Sequence, residues 1–286
     1  MTLTPQVPMR ALDTLWFQVA GTICNIECAH CFISSSPTNR SHEMLSLADV
    51  ESRLAEAGTL GVKEYYFTGG EPFLNRGMIP ILAATLKQGP ATVLTNGMLL
   101  RKEICDQLRE LSDGSEYSLD IRVSIDGYDR ASNDAIRGAG VWDRVMIGLS
   151  NLAAAGINPV ITVTESADGV RGEDGRTRFL DLIRSLGFAK PRLKVLPVFR
   201  IGAETKRSHG YEDWERIPEH VTETEAEVLQ CSSCRMVTSK GVYVCPILID
   251  VAEARMGDTL VETLRSFPLR YGACHTCWVE GVSCRT

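Results

Sequence analysis

The stretch Gly21–Phe32 reads GTICNIECAHCF and places Cys24, Cys28 and Cys31 in a C-x3-C-x2-C run near the N-terminus. Three thiolates on one short loop cannot complete a structural zinc site, because such sites use four protein ligands. Soft thiolates also suit iron–sulfur clusters. A [4Fe–4S] cluster held by three cysteines keeps one iron free for an outside molecule. We therefore hypothesise that this loop presents an open iron to a ligand.

The sequence around this loop alternates between short β-rich runs and helical patterns. Six apolar or β-branched runs bounded by turn residues predict strands; they are LWFQVAG, EYYFTGG, ATVLTNG, DIRVSIDG, PVITVTE and RLKVLPVF. Helical patterns cover residues 46–59, 78–88, 102–112, 142–155 and 176–186. This alternation predicts an α/β fold with a parallel sheet and right-handed crossovers. Six strands make an incomplete, TIM-like (β/α)6 barrel.

These motifs resemble those of radical S-adenosylmethionine (SAM) enzymes. In that superfamily the three-cysteine loop holds a [4Fe–4S] cluster whose unique iron chelates SAM, and one electron from the cluster cleaves SAM to a 5′-deoxyadenosyl radical. The resemblance implies that Cys24, Cys28 and Cys31 are the metal ligands and the catalytic residues. It also places His30 near the adenine of SAM and implies an electron donor such as flavodoxin or ferredoxin.

The end of the second predicted strand carries Thr68, Gly69, Gly70 and Glu71. Ligands of parallel sheets collect at the carboxyl ends of strands. Two glycines allow close approach of the backbone to a ligand, and Glu71 can take up an ammonium group. The run resembles the family's GGEP motif, which holds the SAM amino group. A sharp strand-to-helix turn is the alternative interpretation.

The next two strand ends supply further candidates. Asn96 lies in a T-N-G sequence, which is also an ordinary turn. Ser124 and Asp126 face the same side of their strand and could bond a ribose or a carboxylate. Arg137 lies in a D-x-x-R-G run that resembles one seen in relatives with extra cysteine-rich domains, where the arginine and the strand serine bind the SAM carboxylate. The alternative is a surface pair between Asp134 and Arg137.

Three parts of the chain are predicted. Residues 1–200 form the barrel, in which Val195 flanks the adenine or simply packs. Residues 201–226 are polar and predict a bridging segment. Arg200, which directly precedes it at the barrel mouth, is a candidate substrate contact. Residues 227–286 form a small cysteine-rich domain.

Six cysteines define that C-terminal segment: Cys231, Cys234, Cys245, Cys274, Cys277 and Cys284. Two C-x2-C pairs and a short G-V-Y-V-C hairpin indicate metal binding, and four of the six would fit zinc. Beside the upstream loop, the segment resembles the auxiliary-cluster domains called SPASM and twitch. A full SPASM domain has seven cysteines for two clusters. Six favour one auxiliary [4Fe–4S] cluster, held by Cys245, Cys274, Cys277 and one of Cys231 or Cys234, with two clusters as the alternative.

Composition limits the partners. A net charge of −6 without a basic run provides no electrostatic footprint for nucleic acid. No secretion signal and no run of 18 apolar residues occur, which predicts a cytoplasmic protein without a membrane partner. Without a secretion signal, the ten cysteines indicate metal ligation rather than disulfides. Cys105 lies alone on a helix and is interpreted as a core residue.

The resemblance implies an enzyme that abstracts hydrogen from a substrate C–H bond, with the auxiliary cluster aiding oxidation or binding. Only 23 residues precede Cys24, which leaves no room for a peptide-binding domain there. The sequence therefore favours dehydrogenation or epimerisation of a small sugar-like or aminocyclitol-like molecule. The alternative is a maturase that crosslinks or oxidises a ribosomally made peptide or protein. A non-enzymatic zinc or electron-carrier module would not need the GGEP, SIDG and R-G motifs.

Overall fold

The computed structural model of the chain describes residues 4–166, 170 and 172–281. The strands are β1 (Gln6–Val7), β2 (Thr14–Gln18), β3 (Glu64–Thr68), β4 (Ala91–Thr95), β5 (Leu119–Ser124), β6 (Val160–Thr164), β7 (Arg192–Leu196), β8 (Cys234–Thr238), β9 (Gly241–Tyr243), β10 (Arg255–Gly257) and β11 (Phe267–Pro268). The helices are α1 (Leu47–Leu60), α2 (Met78–Thr85), α3 (Lys102–Asp113), α4 (Arg130–Arg137), α5 (Val141–Ala154), α6 (Gly172–Ser185), α7 (Thr205–Ser208), α8 (Glu223–Ala226) and α9 (Gly272–Glu280).

Nine strands form one sheet in the order β10-β9-β8-β2-β3-β4-β5-β6-β7. Strands β2 to β7 pair in parallel and in chain order, each connected to the next through helical crossovers. The six predicted strands and the α/β class are therefore confirmed. The sheet is an open partial barrel, in which all six strands point their carboxyl ends to one rim.

Alternating residues of the strands supply two separate cores. Leu15 and Phe17 of β2 pack on the helices in one cluster, whereas Trp16 between them belongs to the other cluster. Trp16 stacks on Tyr66 of β3, with ring centroids 4.4 Å apart. The second cluster also contains Cys234, Cys245 and Cys274. The concave face of the sheet and the C-terminal cysteines thus share one apolar core.

The C-terminal segment continues the barrel sheet. Strand β8 pairs in parallel with β2, with Thr14 opposite Cys234. Strands β8 and β9 form an antiparallel hairpin, and β10 pairs with β9. Backbone hydrogen bonds therefore join the segment to the first barrel strand. The boundaries at residues 200 and 226 stay a prediction.

The five predicted helices are confirmed as α1, α2, α3, α5 and α6. Helix α1 begins after Ser46, whose side chain accepts a hydrogen bond from the Asp49 amide in a capping box, and ends at Gly61 in the left-handed region. Helix α4 was not predicted. Within the described ranges, no helix combines the length and apolar character needed to cross a membrane.

Candidate iron–sulfur and cofactor site

The cysteine loop leaves β2 at the carboxyl rim of the sheet. Its three cysteines, like the other six within the described ranges, form no disulfide bond. Burial raises the pKa of Cys24 to about 11 and that of Cys28 to about 12, although the nearby charge of Arg137 opposes the second shift. Cys31 is close enough to add to both shifts. Because a metal ligand must be a thiolate, cluster binding would displace these protons.

The glycine-rich turn after β3 holds the backbone of this loop. The Gly70 amide donates to the Gly21 carbonyl at 2.9 Å, and the Glu71 amide donates to the Ile23 carbonyl at 2.9 Å. A Cβ on Gly70 would lie 1.9 Å from the Ile23 oxygen, and one on Gly69, at φ +149°, would lie 2.8 Å from Ala20. The sequence predicted close approach to a ligand here. In the structure the close approach is to the cysteine loop.

Glu71 is fully buried and ties two strand ends together. One carboxylate oxygen accepts hydrogen bonds from the Thr95 hydroxyl at 2.7 Å and the Phe73 amide at 3.0 Å, and the other accepts from the Asn96 amide at 2.8 Å. Burial raises its pKa, and these three donors oppose the rise. Thr68, which ends β3, is half-buried.

Asn96 connects the end of β4 to the cysteine loop. Its side-chain amide donates to the Asn25 side-chain oxygen at 2.7 Å and lies 3.7 Å from the Cys24 sulfur. Asn25 was missed by the sequence analysis, although its place directly after the first loop cysteine was a usable signal. The end of the loop is held from the other side, where the Ala203 amide donates to the Cys31 carbonyl at 2.9 Å.

Asp126 is a buried bridge between the cysteine loop and α4. One of its oxygens lies 2.6 Å from His30 Nε2 and 2.6 Å from Arg137 Nε, and the other accepts a hydrogen bond from the Thr164 amide at 2.8 Å. Burial alone would raise the pKa of Asp126, but the charges of Arg137 and His30 outweigh it and hold that pKa well below its usual range. The bridge therefore holds the Arg137 guanidinium near Cys28 and fixes the His30 ring.

Arg137 is part of the site and not of a surface pair. Asp134 instead accepts hydrogen bonds from the Gly140 and Trp142 amides, both at 2.8 Å. The carbonyl of Ile136, just before Arg137, accepts from the Ala29 amide at 2.8 Å. The end of α4 is thereby attached to the cysteine loop.

We expect Asp126→Asn to destabilise the protein by about 3 kcal/mol at pH 7, because it leaves Arg137 buried without its charge partner. Since the pKa of Asp126 is lowered in the folded state, its stabilisation is fully present above its unfolded pKa of about 4 and is lost as pH falls below that value. Urea unfolding of the wild type and the variant at pH 7 and pH 3 measures this. A stability difference that does not shrink at the lower pH would contradict the bridge.

The neighbouring strand positions leave polar atoms for a ligand. Ser124 is half-buried and pairs in register with Thr162 of β6. The Thr162 hydroxyl is buried and has no hydrogen-bond partner within the described part of the chain. Val195 on β7 is half-buried. An unpaired buried hydroxyl beside a serine fits a ligand with polar groups, such as SAM.

Four C-terminal cysteines line one cavity. They are Cys231, Cys245, Cys274 and Cys277. Burial, together with the neighbouring Cys245 and Cys274, raises the pKa of Cys231 well above its usual value. Cys234 is not among the lining residues; its sulfur lies 3.9 Å from the Val244 carbonyl. Cys284 lies outside the described residues. Four thiols on an apolar cavity match the ligand number of a [4Fe–4S] cluster.

The donor type of both thiol groups suits iron–sulfur clusters. Soft thiolates are the ligands of such clusters, and in a [4Fe–4S] cluster each thiolate binds a different iron. Over residues 4–166, 170 and 172–281, no group of three or more His, Cys, Asp or Glu side chains is arranged to hold a single metal ion.

A partial barrel whose first long strand runs into a three-thiol loop defines a class of cluster-binding α/β proteins. Residues 19–183 match the family model described as Radical SAM superfamily, and the chain belongs to that superfamily. It binds the superfamily's cofactors, a [4Fe–4S] cluster and SAM, and the C-terminal cysteines resemble those of relatives of the SPASM type.

Several known proteins are similar to this chain. Mycofactocin maturase MftC of Mycobacterium tuberculosis is 32% identical over 134 residues, which are 46% of this chain and 32% of MftC. Other curated relatives include an Fe-coproporphyrin III synthase and GTP 3′,8-cyclases. The matched parts span about a third to two fifths of the length of these proteins.

Two solved structures share the fold at low sequence identity. SuiB of Streptococcus suis, bound to S-adenosylmethionine, superposes with a TM-score of 0.67 at 16% identity, covering 92% of this chain and 67% of SuiB. The protein anSMEcpe with bound AdoMet and the Cp18Cys peptide has a TM-score of 0.63 at 17% identity, covering 87% of this chain and 79% of that chain. These likenesses confirm the partial barrel.

Proposed function

We propose that the protein is a radical SAM maturase that modifies a ribosomally made peptide or protein. The observation that carries the proposal is an open groove between the rim of the barrel and α9. Two similar proteins support the proposal. MftC is a maturase, and the structure of anSMEcpe contains a bound peptide. The small sugar-like substrate favoured by the sequence has less support.

The groove runs from the carboxyl rim of the barrel to α9. Its lining residues come from four places: the ends of β6 and β7, the bridging segment and α9. They are Glu165, Ser166, Pro197, Val198, Arg200, Glu204, Ser208, Glu215, His275, Thr276, Val279 and Glu280. Strands β6 and β7 end at the same rim as the cysteine loop, and α9 carries Cys274 and Cys277. A substrate in the groove would therefore extend from the barrel towards the auxiliary cavity.

One wall of the groove is held in place by contacts within the protein. The groove has a volume of about 510 Å3. Arg200, predicted as a substrate contact, lies in its wall. Its guanidinium pairs with Glu215 and stacks 4.5 Å over the Tyr211 ring, so this wall is ordered before substrate binds.

Within this proposal, the reduced cluster held by Cys24, Cys28 and Cys31 supplies the electron that cleaves SAM. Ser124 and Arg137 bind the carboxylate of SAM, with Asp126 positioning the arginine. Glu71 positions the loop and the strand ends, since its carboxylate oxygens already accept three hydrogen bonds. Cys231, Cys245, Cys274 and Cys277 hold one auxiliary cluster. A flavodoxin or ferredoxin donor and a cytoplasmic location belong to the same proposal.

The test uses two exposed valines of nearly equal exposure. Val279 lines the groove and Val261 lies outside it, with exposed fractions of 61% and 63%. The reduced enzyme is incubated anaerobically with SAM and short peptides encoded beside its gene, or with sugars and aminocyclitols. We expect one peptide to stimulate 5′-deoxyadenosine formation. Mass spectrometry should show that this peptide has lost hydrogen.

Val279→Arg should raise KM for that peptide about tenfold, which corresponds to about 1.4 kcal/mol of binding. It should leave 5′-deoxyadenosine formation without peptide unchanged, and Val261→Arg should change neither quantity. Stimulation by a sugar or aminocyclitol, and by none of the peptides, would overturn the proposal.

A further inference from the structure

The auxiliary cavity contains one polar side chain that its protein surroundings leave unbonded. Gln230 lines the cavity beside Cys231, and its exposed fraction is 9%. Neither the nitrogen nor the oxygen of its side-chain amide has a hydrogen-bond partner within the part of the chain that the structure describes. Because both atoms are unbonded, this observation does not depend on how the amide is oriented. A buried amide without partners costs about 1–3 kcal/mol.

The backbone around Gln230 is held firmly. Gln230 begins the 3-10 turn Gln230–Ser232, and the Ser232 hydroxyl donates to the Glu227 carbonyl at 2.7 Å. The buried Arg235 guanidinium donates to the Cys231 carbonyl at 2.8 Å and to the Cys234 carbonyl at 2.6 Å. The turn that carries Gln230 and Cys231 is thus fixed from both ends. The fold therefore fixes the backbone of Gln230, whose side chain lines the cavity.

The rest of the cavity wall cannot satisfy this amide. Apart from four cysteines, the other lining residues are apolar: Leu229, Val244, Ile247, Leu248, Phe267, Leu269 and Ala273. The sulfur atoms of a cluster bound by those cysteines would be hydrogen-bond acceptors facing the amide. Hydrogen bonds to cluster sulfurs stabilise the more negative, reduced state and so raise the reduction potential.

We propose that the Gln230 side-chain amide donates a hydrogen bond to a sulfur of the auxiliary cluster and raises its reduction potential. This inference rests on the proposed auxiliary cluster. The glutamine is a tuning residue and not a ligand. Its effect would favour transfer of one electron from the substrate radical, which is thereby oxidised, to this cluster, which is reduced.

The test isolates the auxiliary cluster. The full chain carrying Cys24→Ala, Cys28→Ala and Cys31→Ala is loaded with iron and sulfide, and the cluster is titrated with reductant while EPR records its reduced form. The Gln230→Leu variant is measured at the potential at which the cluster of the parent protein is half reduced. Its ratio of reduced to oxidised cluster should be about tenfold lower than that of the parent. This is the change expected from losing one hydrogen bond to a charged group.

Gln230→Glu, of nearly the same size, has no donor when ionised and should shift the potential in the same direction. Gln107→Leu, an exposed glutamine on α3, is the matched control and should not shift it. An unchanged potential in Gln230→Leu with about four irons per chain would overturn the tuning role alone. Loss of iron in Gln230→Leu would also overturn it, because the side chain would then be needed to build the site. A parent protein without iron would overturn the proposed auxiliary cluster itself.

Discussion

Replacing Cys28 with alanine is expected to reduce 5′-deoxyadenosine formation from SAM at least about a thousandfold. Losses of this size are typical when one member of a group of residues that act together in catalysis is removed. Cys28 is one of only three thiols on the loop, and a cluster with two protein ligands would not be retained. The iron content should fall by about four per chain, because one [4Fe–4S] cluster is lost. The measurements are anaerobic chromatography of 5′-deoxyadenosine and iron analysis of the same samples.

Cys105→Ala is the matched control for this variant. Cys105 is fully buried on α3, and burial raises the pKa of its thiol to about 11, so it is an inert core residue. Its replacement should leave iron content and 5′-deoxyadenosine formation unchanged while costing about 1 kcal/mol of stability for the lost packing. Wild-type product formation by Cys28→Ala would refute the assignment of the loop.

Gly70→Ala is expected to destabilise the protein by at least about 3 kcal/mol and to abolish retention of the N-terminal cluster. The added Cβ would lie 1.9 Å from the Ile23 oxygen and 2.7 Å from the Cys24 nitrogen. Both atoms belong to backbone, which cannot rotate away as a flexible side chain could. The cysteine loop would have to move from the turn that holds it. Urea unfolding and iron content measure the two effects.

Gly58→Ala provides the comparison for the same chemical change. Gly58 lies in α1, and the nearest atom to its added Cβ would be a side-chain oxygen of Gln88 at 3.7 Å. Alanine is the better helix former, so this variant should gain about 0.5–1 kcal/mol of stability. Equal stability of the two variants would show that the contact between the turn and the cysteine loop is unimportant.

Much of the fold could be predicted because its signals are local. Each of the six barrel strands is a run of apolar or β-branched residues bounded by turn residues, and the five predicted helices lie in the helical patterns between them. Helix α4 was missed because Arg130–Arg137 is short and mostly polar. Its usable signal was the capping box, in which the Asp129 side chain accepts from the Ser132 amide.

The partners within the site could be predicted only in part. The spacing of Ser124 and Asp126 indicated a shared face, but not that Asp126 would be enclosed by His30 and Arg137. Those contacts join residues 96 and 11 positions apart, brought together by the barrel rim. Cys231 and Cys234 were equivalent in the sequence. They separate in the structure because Cys234 begins β8, whereas Cys231 lies in the preceding turn on the auxiliary cavity.

The sequence by itself determined the α/β alternation and the six parallel strands, since hydrophobic period is a property of neighbouring residues. Its cysteine spacing, which is also local, predicted which thiols bind clusters. Only the tertiary structure decided that the glycine turn holds the cysteine loop, that β8 extends the barrel sheet and that Gln230 faces the auxiliary cavity. These depend on distances between segments far apart in the chain, which are set by how the strands pair and how the two cores pack.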